Sequence, residues 1–213
     1  MESQRQNLEF IAIEGVIGVG KTSLTRMLAD RFNGRGIYEI VEENPFLADF
    51  YRDPERYAFQ VQMFFLLSRY RQQMEIPQRD LFHQMLIADY IFAKDKIFAY
   101  LNLEDRELFL YEKIVSLMER DIPQPDLVIY LKSTPERLMQ NIKKRDRPFE
   151  REMKYEYIDS LNQAYNQFFN HYADTRLLVV DATEMDFVAN REDFETIVNL
   201  ILNMKGQHAG FIG

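Results

Sequence analysis

Residues 9–23 read EFIAIEGVIGVGKTS, and this one stretch restricts the fold more than any other. An unbroken apolar run such as FIAI cannot present one face to water, so it predicts a strand covered on both sides, the situation of a parallel sheet. Glycines follow at once, and Lys21 and Thr22 then open a helical pattern that lasts to about Phe32. Gly15 to Thr22 satisfies G-x-x-x-x-G-K-[ST]. In such a loop, backbone N–H groups surround an anion and the helix adds its positive end. The residues Gly15, Val16, Ile17, Gly18, Val19, Gly20, Lys21, Thr22 and Ser23 are therefore expected to hold a nucleoside triphosphate, ATP being the ordinary one. Lys21 would reach the β and γ phosphates, and the Thr22 hydroxyl would join the Mg²⁺ shell. A chance glycine-rich turn would lack the strand before and the helix after.

The rest of the chain alternates strand-like and helical patterns. Strands are expected over 36–43, 81–89, 125–132 and 176–182. Helices are expected over 44–75, 90–101, 104–120, 134–145, 151–170 and 190–204. Asp53 reads as the cap of a long helix with Pro54 at its first position, and Thr134 with Pro135 as another. The tail GQHAGFIG reads as loose. Together these predict an α/β fold, a parallel sheet of roughly five strands flanked by helices, with ligands outside the carboxyl ends of the strands. No repeat or Pro/Gly-rich linker divides the chain, so residues 1–213 are expected to be a single domain.

Charge and composition narrow the partners. With 34 acidic against 26 basic residues the net charge is −8, which disfavours nucleic acid. There is no cysteine, no apolar stretch of membrane-spanning length and no apolar leader near the start, so a cytoplasmic protein without membrane contact is expected.

Five further segments occur in order: YEIVEENPF, FYRDPERYAFQVQMFFLLSRYRQ, ADYIFAKDKIFA, KKRDRPFE and VVDATEMDFVANREDF. From about Phe10 to Leu200 the chain resembles the deoxynucleoside kinases. VEENPFL and DYIFAKD are most similar to the bacterial deoxyadenosine/deoxyguanosine kinase branch. The resemblance implies a P-loop kinase fold with an arginine-rich lid. It also implies transfer of the γ-phosphate of ATP to the 5′-hydroxyl of a deoxynucleoside, a purine favoured, in nucleotide salvage. A homodimer is implied too, with the helices of 54–75 and 90–120 as its interface.

Residue roles follow from the same resemblance. A 5′-hydroxyl is a poor nucleophile that benefits from a carboxylate, here Glu39, with Glu42 as second choice. Gln62 and Arg69 are seven apart and share a helix face, so Gln62 is expected on a base edge and Arg69 paired with Asp89 around it. Phe59 or another aromatic of this helix would stack on the base. Tyr51 and Glu150 match positions used on the sugar 3′-hydroxyl. Arg145 and Arg147 would clamp the oxygens of the moving phosphoryl group.

The pattern departs from the family in two places. The family's Glu-Arg-Ser, six residues before its Asp, would fall at His83-Gln84-Met85, and Asn141 stands where a lid arginine is common. Either phosphates are held with fewer side chains, or Lys94 or Lys96 compensates. Two other functions compete. A thymidylate-type monophosphate kinase would need arginines for the acceptor phosphate, where residues 39–44 are acidic instead. A non-catalytic assembly subunit of the same fold would show an eroded loop or lid, whereas Lys21, Thr22, Arg145 and Arg147 are all present.

Overall fold

The computed structural model describes residues 8–75 and 85–212. Its centre is β1 (Phe10–Gly15), in which all six residues are buried. On one side β1 pairs in parallel with β3 (Leu86–Ala88), which pairs with β2 (Arg35–Ile37). On the other side it pairs with β4 (Leu127–Lys132), followed by β5 (Arg176–Asp181) and β6 (His208–Ile212). The order is β2-β3-β1-β4-β5-β6, with every pairing parallel. β4 repeats the reading of β1: five of its six residues are buried, as expected where helices cover both faces.

Helices supply that cover. α1 (Lys21–Phe32) packs on β1 to β3. α2 (Leu47–Arg52) and α3 (Pro54–Glu75) stand over the acceptor side, with α4 (Lys94–Asn102) and α5 (Asp105–Met118) beside them. α6 (Pro135–Arg145) and α7 (Tyr155–Asn170) pack together, and α8 (Arg191–Asn203) covers β5. The helix starts behave as their sequences suggest. Thr134 Oγ1 accepts from Arg137 N–H at 3.3 Å with Pro135 next, and Asn190 caps α8.

Several boundaries differ from the sequence-based expectation. The sheet has six strands rather than five, because the glycine-rich tail forms β6 along the outer edge of β5, from His208 opposite Leu177 to Ile212 opposite Asp181. β2 is three residues long, since β3 offers it partners only for Arg35–Ile37. The helix expected over 44–75 is two helices. Asp53 closes the first, its N–H bonding to Asp49 O, and Pro54 opens the second as expected. The third strand begins at Leu86, and residues 81–84 of its expected span lie outside the described residues.

The direction of strand succession switches at β1, which places a crevice at its carboxyl end. The loop that follows takes positive φ at Gly18 (92°) and Gly20 (105°). A Cβ at Gly18 would meet Leu138 O at 2.7 Å, so α6 lies directly against this loop. Asn141 reinforces the contact by donating from Nδ2 to Gly18 O at 2.9 Å. The residue standing where the family often has an arginine therefore ties the lid helix to the loop.

Candidate active site

A cavity of about 940 Å³ opens over the carboxyl ends of the strands. The phosphate loop forms one end, the lid segment after α6 one wall, and α2 and α3 the other end. Lys21 Nζ donates to Gly15 O at 2.7 Å and Val16 O at 3.3 Å, folding back over its own loop. Burial depresses the Lys21 ammonium most, repulsion from Lys94 adds to this, and Glu14, Glu39 and Asp89 oppose it; the outcome is about 8.

Asp89, at the end of β3, accepts from the Thr22 hydroxyl at 2.7 Å and from Glu39 N–H at 2.7 Å. It therefore belongs with the phosphate loop. The expected Arg69–Asp89 pair does not form. Arg69 instead pairs with Asp95, in the first turn of α4, and with Glu39 Oε1, at 2.6 Å from Nη2. Gln62 Nε2 donates to Asp95 Oδ2 and to its backbone O, both at 2.8 Å. Gln62 and Arg69 thus share a helix face as expected, and the carboxylate they meet is six residues beyond Asp89.

Geometry also explains the apparent loss of Glu-Arg-Ser. Met85 precedes β3, at the amino end of that strand and away from the loop, and His83 and Gln84 lie outside the described residues. The strand-end acid is Asp89, and the second acid six positions on is Asp95. The six-residue spacing expected between residue 83 and Asp89 also separates Asp89 from Asp95, the carboxylate that Arg69 meets. Asp95 was overlooked, although the interval from one acid to the next was a usable signal.

Glu39 follows β2 and turns into the cavity, its side chain 13% exposed. Oε1 meets Arg69, and Oε2 meets Lys94 Nζ at 2.8 Å. Burial pushes this carboxyl upward, but the Lys94 and Arg69 charges overcome it and bring it down to about 2. Asp95 is fully buried, and burial pushes it upward against the pull of Arg69. Arg69 would lose charge by burial, yet Glu39 and Asp95 hold its guanidinium above the usual range. Glu42 is exposed and pairs with Arg147 at 3.3 Å.

Arg145 Nε donates to Glu150 at 2.7 Å. Arg147 reaches the same buried carboxylate at 3.9 Å. Asp146 lies between them in the left-handed conformation (φ 47°), ending α6 and turning the chain so that both arginines line the cavity. Tyr51 lines it as well; burial raises its phenol, and the charge of Glu150 adds to that. Phe65, with the Arg69 guanidinium 4.8 Å over its ring, is the aromatic of α3 in the lining, and Phe59 is not. Lys96 bonds Glu119 at 2.5 Å away from this cavity, which leaves Lys94 as the lysine placed to compensate.

The family model described as deoxynucleoside kinase matches residues 11–204. The chain belongs to the deoxynucleoside kinase family. Among its relatives, the deoxyguanosine kinase of Bacillus subtilis (strain 168) is 42% identical over 193 residues, covering 88% of this chain and 93% of the relative. The deoxyadenosine kinase of Dictyostelium discoideum is 36% identical over 174 residues, covering 78% and 69%. Among solved structures, deoxyadenosine kinase from M. mycoides with bound dATP superposes with a TM-score of 0.80 at 27% identity, covering 91% of this chain and 98% of that one. The kinase is an ATP-dependent phosphotransferase acting on deoxynucleosides. No helix among its described residues is long and apolar enough to cross a membrane.

Proposed function

We propose that this kinase phosphorylates a purine deoxynucleoside at its 5′-hydroxyl, as a cytoplasmic salvage enzyme built as one domain and acting as a homodimer. The observation that carries the site assignment is Glu39, a carboxylate set between Arg69 and Lys94 in the cavity whose other end is the phosphate loop. The nucleoside hydroxyl donates to Glu39, which aims an oxygen lone pair toward the loop. Gln62 and Arg69 face the base, held from behind by Asp95, and Tyr51 and Glu150 face the sugar. Ala58 and Val61 leave width for a two-ring base, and the relatives' names point the same way.

Lys21, Arg145 and Arg147 neutralise the moving phosphoryl group, whose charge spreads over its oxygens in a loose transition state. The Thr22 hydroxyl and the Asp89 carboxylate are the side chains that would hold Mg²⁺ beside the phosphates. Among the described residues no three His, Cys, Asp or Glu side chains cluster as a cage. Such a sparse oxygen set suits an ion that keeps waters and takes phosphate oxygens. When bound, the ion supplies charge neutralisation at the phosphates.

Two cations on Glu39 make it a weak base. That suits late proton removal in a loose transition state, where the carboxylate orients the hydroxyl before it takes the proton. Homodimer formation is supported by exposed apolar side chains on α3 to α5, among them Leu67, Tyr100, Phe109, Leu110 and Leu117, the last 72% exposed.

The test is transfer from Mg·ATP to the four deoxynucleosides and to dTMP, in wild type and Glu39→Gln. Deoxyguanosine or deoxyadenosine is expected to give the highest kcat/KM, and Glu39→Gln to lower kcat by about 100-fold or more. Loss below tenfold would move the hydroxyl contact elsewhere, and a pyrimidine optimum would overturn the purine assignment.

A further inference from the structure

Lys94 is oddly placed for a structural lysine. It is the first residue of α4, where the positive helix end opposes a cation, and it is only 3% exposed. Its Nζ lies 5.8 Å from the centre of the Tyr90 ring, and among the described residues Glu39 is its one ion-pair partner. It is also close enough to Lys21 to repel it, which puts Lys94 on the path between the phosphate loop and the acceptor. Arg69, the other cation on Glu39, has Asp95 as a second partner.

We propose that Lys94 is the cation that receives the new 5′-phosphate, holding Glu39 before transfer and exchanging it for the phosphate afterwards. The proposal rests on Glu39 as the group facing the 5′-hydroxyl. During transfer, the bond from the γ-phosphorus to the oxygen bridging toward the β-phosphate breaks, and its electron pair leaves on ADP. O5′ forms the new bond to phosphorus, and the O5′ proton passes to Glu39. Glu39 becomes neutral at that moment, and Lys94 loses its anionic partner just as a phosphate monoester appears beside it. Arg69 keeps Asp95, so Lys94 is the cation left free to pair. Glu14 also acts on Lys94 but makes no ion-pair contact with it, so a buried ammonium that has lost its contacting carboxylate gains by pairing with the phosphate, which drives the exchange. In this chain a lysine on a helix start thereby takes the acceptor-phosphate contact, with Tyr90 rather than an arginine following the strand-end acid.

The test compares equilibrium binding of dGMP with deoxyguanosine, and dAMP with deoxyadenosine, in the absence of ATP. Lys94→Met is expected to weaken monophosphate binding by about 30-fold or more while changing nucleoside binding by less than about threefold. Lys94→Arg is expected to keep most of the monophosphate affinity. A purely structural role would lower both affinities by the same factor, and that result, or no change in either, overturns the proposal. Should Lys94→Met fail to fold, Glu39→Gln/Lys94→Met removes both charges together and is compared with Glu39→Gln alone. The same gap in monophosphate affinity is expected there, and its absence is equally decisive. Binding needs no turnover, so a wild type inactive on every deoxynucleoside would refute the reading of Glu39, while the affinity ratio bears on Lys94 alone.

Discussion

Lys21→Met is expected to lower kcat by about a thousandfold or more while leaving the protein folded, because a positioned cation on a transferring phosphoryl group supplies that order of stabilisation. The side chain already rests on the loop carbonyls of Gly15 and Val16, so the ammonium is aimed at the phosphate cradle before ligand arrives. Its removal relieves repulsion with Lys94 but gives up attraction to Glu14, Glu39 and Asp89, so the two effects oppose. The melting temperature should therefore stay within about 2 °C of wild type, a change that corresponds to about 0.5–1 kcal/mol for a chain of this length. Single-turnover transfer and thermal melting measured together separate the two effects. A large drop in melting temperature would mean that the lysine supports the loop rather than the chemistry.

Arg69→Met has the opposite signature. Arg69 is 3% exposed and holds two carboxylates, one of them, Asp95, completely buried. Deleting the cation strands the Asp95 charge while Glu39 keeps Lys94, and breaking a buried pair by removing one partner costs about 3–5 kcal/mol. Denaturant unfolding should show a loss of that size together with loss of nucleoside binding. Arg69→Met/Asp95→Leu should recover a substantial part of the stability but none of the binding. If the double variant is no more stable than the single, the Arg69–Asp95 pair is not what the cation stabilises.

The parts of this architecture that could be read from sequence are those fixed by local chemistry. β1 and β4 are continuous apolar runs, and the glycines before Lys21 permit the backbone turn that wraps an anion. Thr134 is a helix cap that accepts from a backbone N–H of the first turn, as its sequence suggests. The seven-residue spacing of Gln62 and Arg69 placed them on one face correctly.

The parts that were misread depend on partners distant in sequence. Residues 38–43 look like a continuing strand, but no neighbouring strand extends beyond the Ile37–Ala88 pairing, so the chain leaves the sheet and carries Glu39 into the cavity. GQHAGFIG lacks the apolar density of a strand, and it becomes one because β5 offers an open edge. Asp89 and Asp95 are chemically identical, and only the turn after β3 and the start of α4 decide which meets Thr22 and which meets Arg69.

The strand order has a consequence for how the protein is made. β1 emerges before both of its neighbours, which are formed by residues 86–88 and 127–132. Among the described residues no pairing in the sheet is a local hairpin, so loop closure over long stretches of chain must precede most of the stabilising contacts. The phosphate loop at the end of β1 then leaves the ribosome before either of the strands that hold β1 in place. Until β4 arrives, FIAI is an apolar strand with an open edge, a segment that nascent-chain chaperones would be expected to shield.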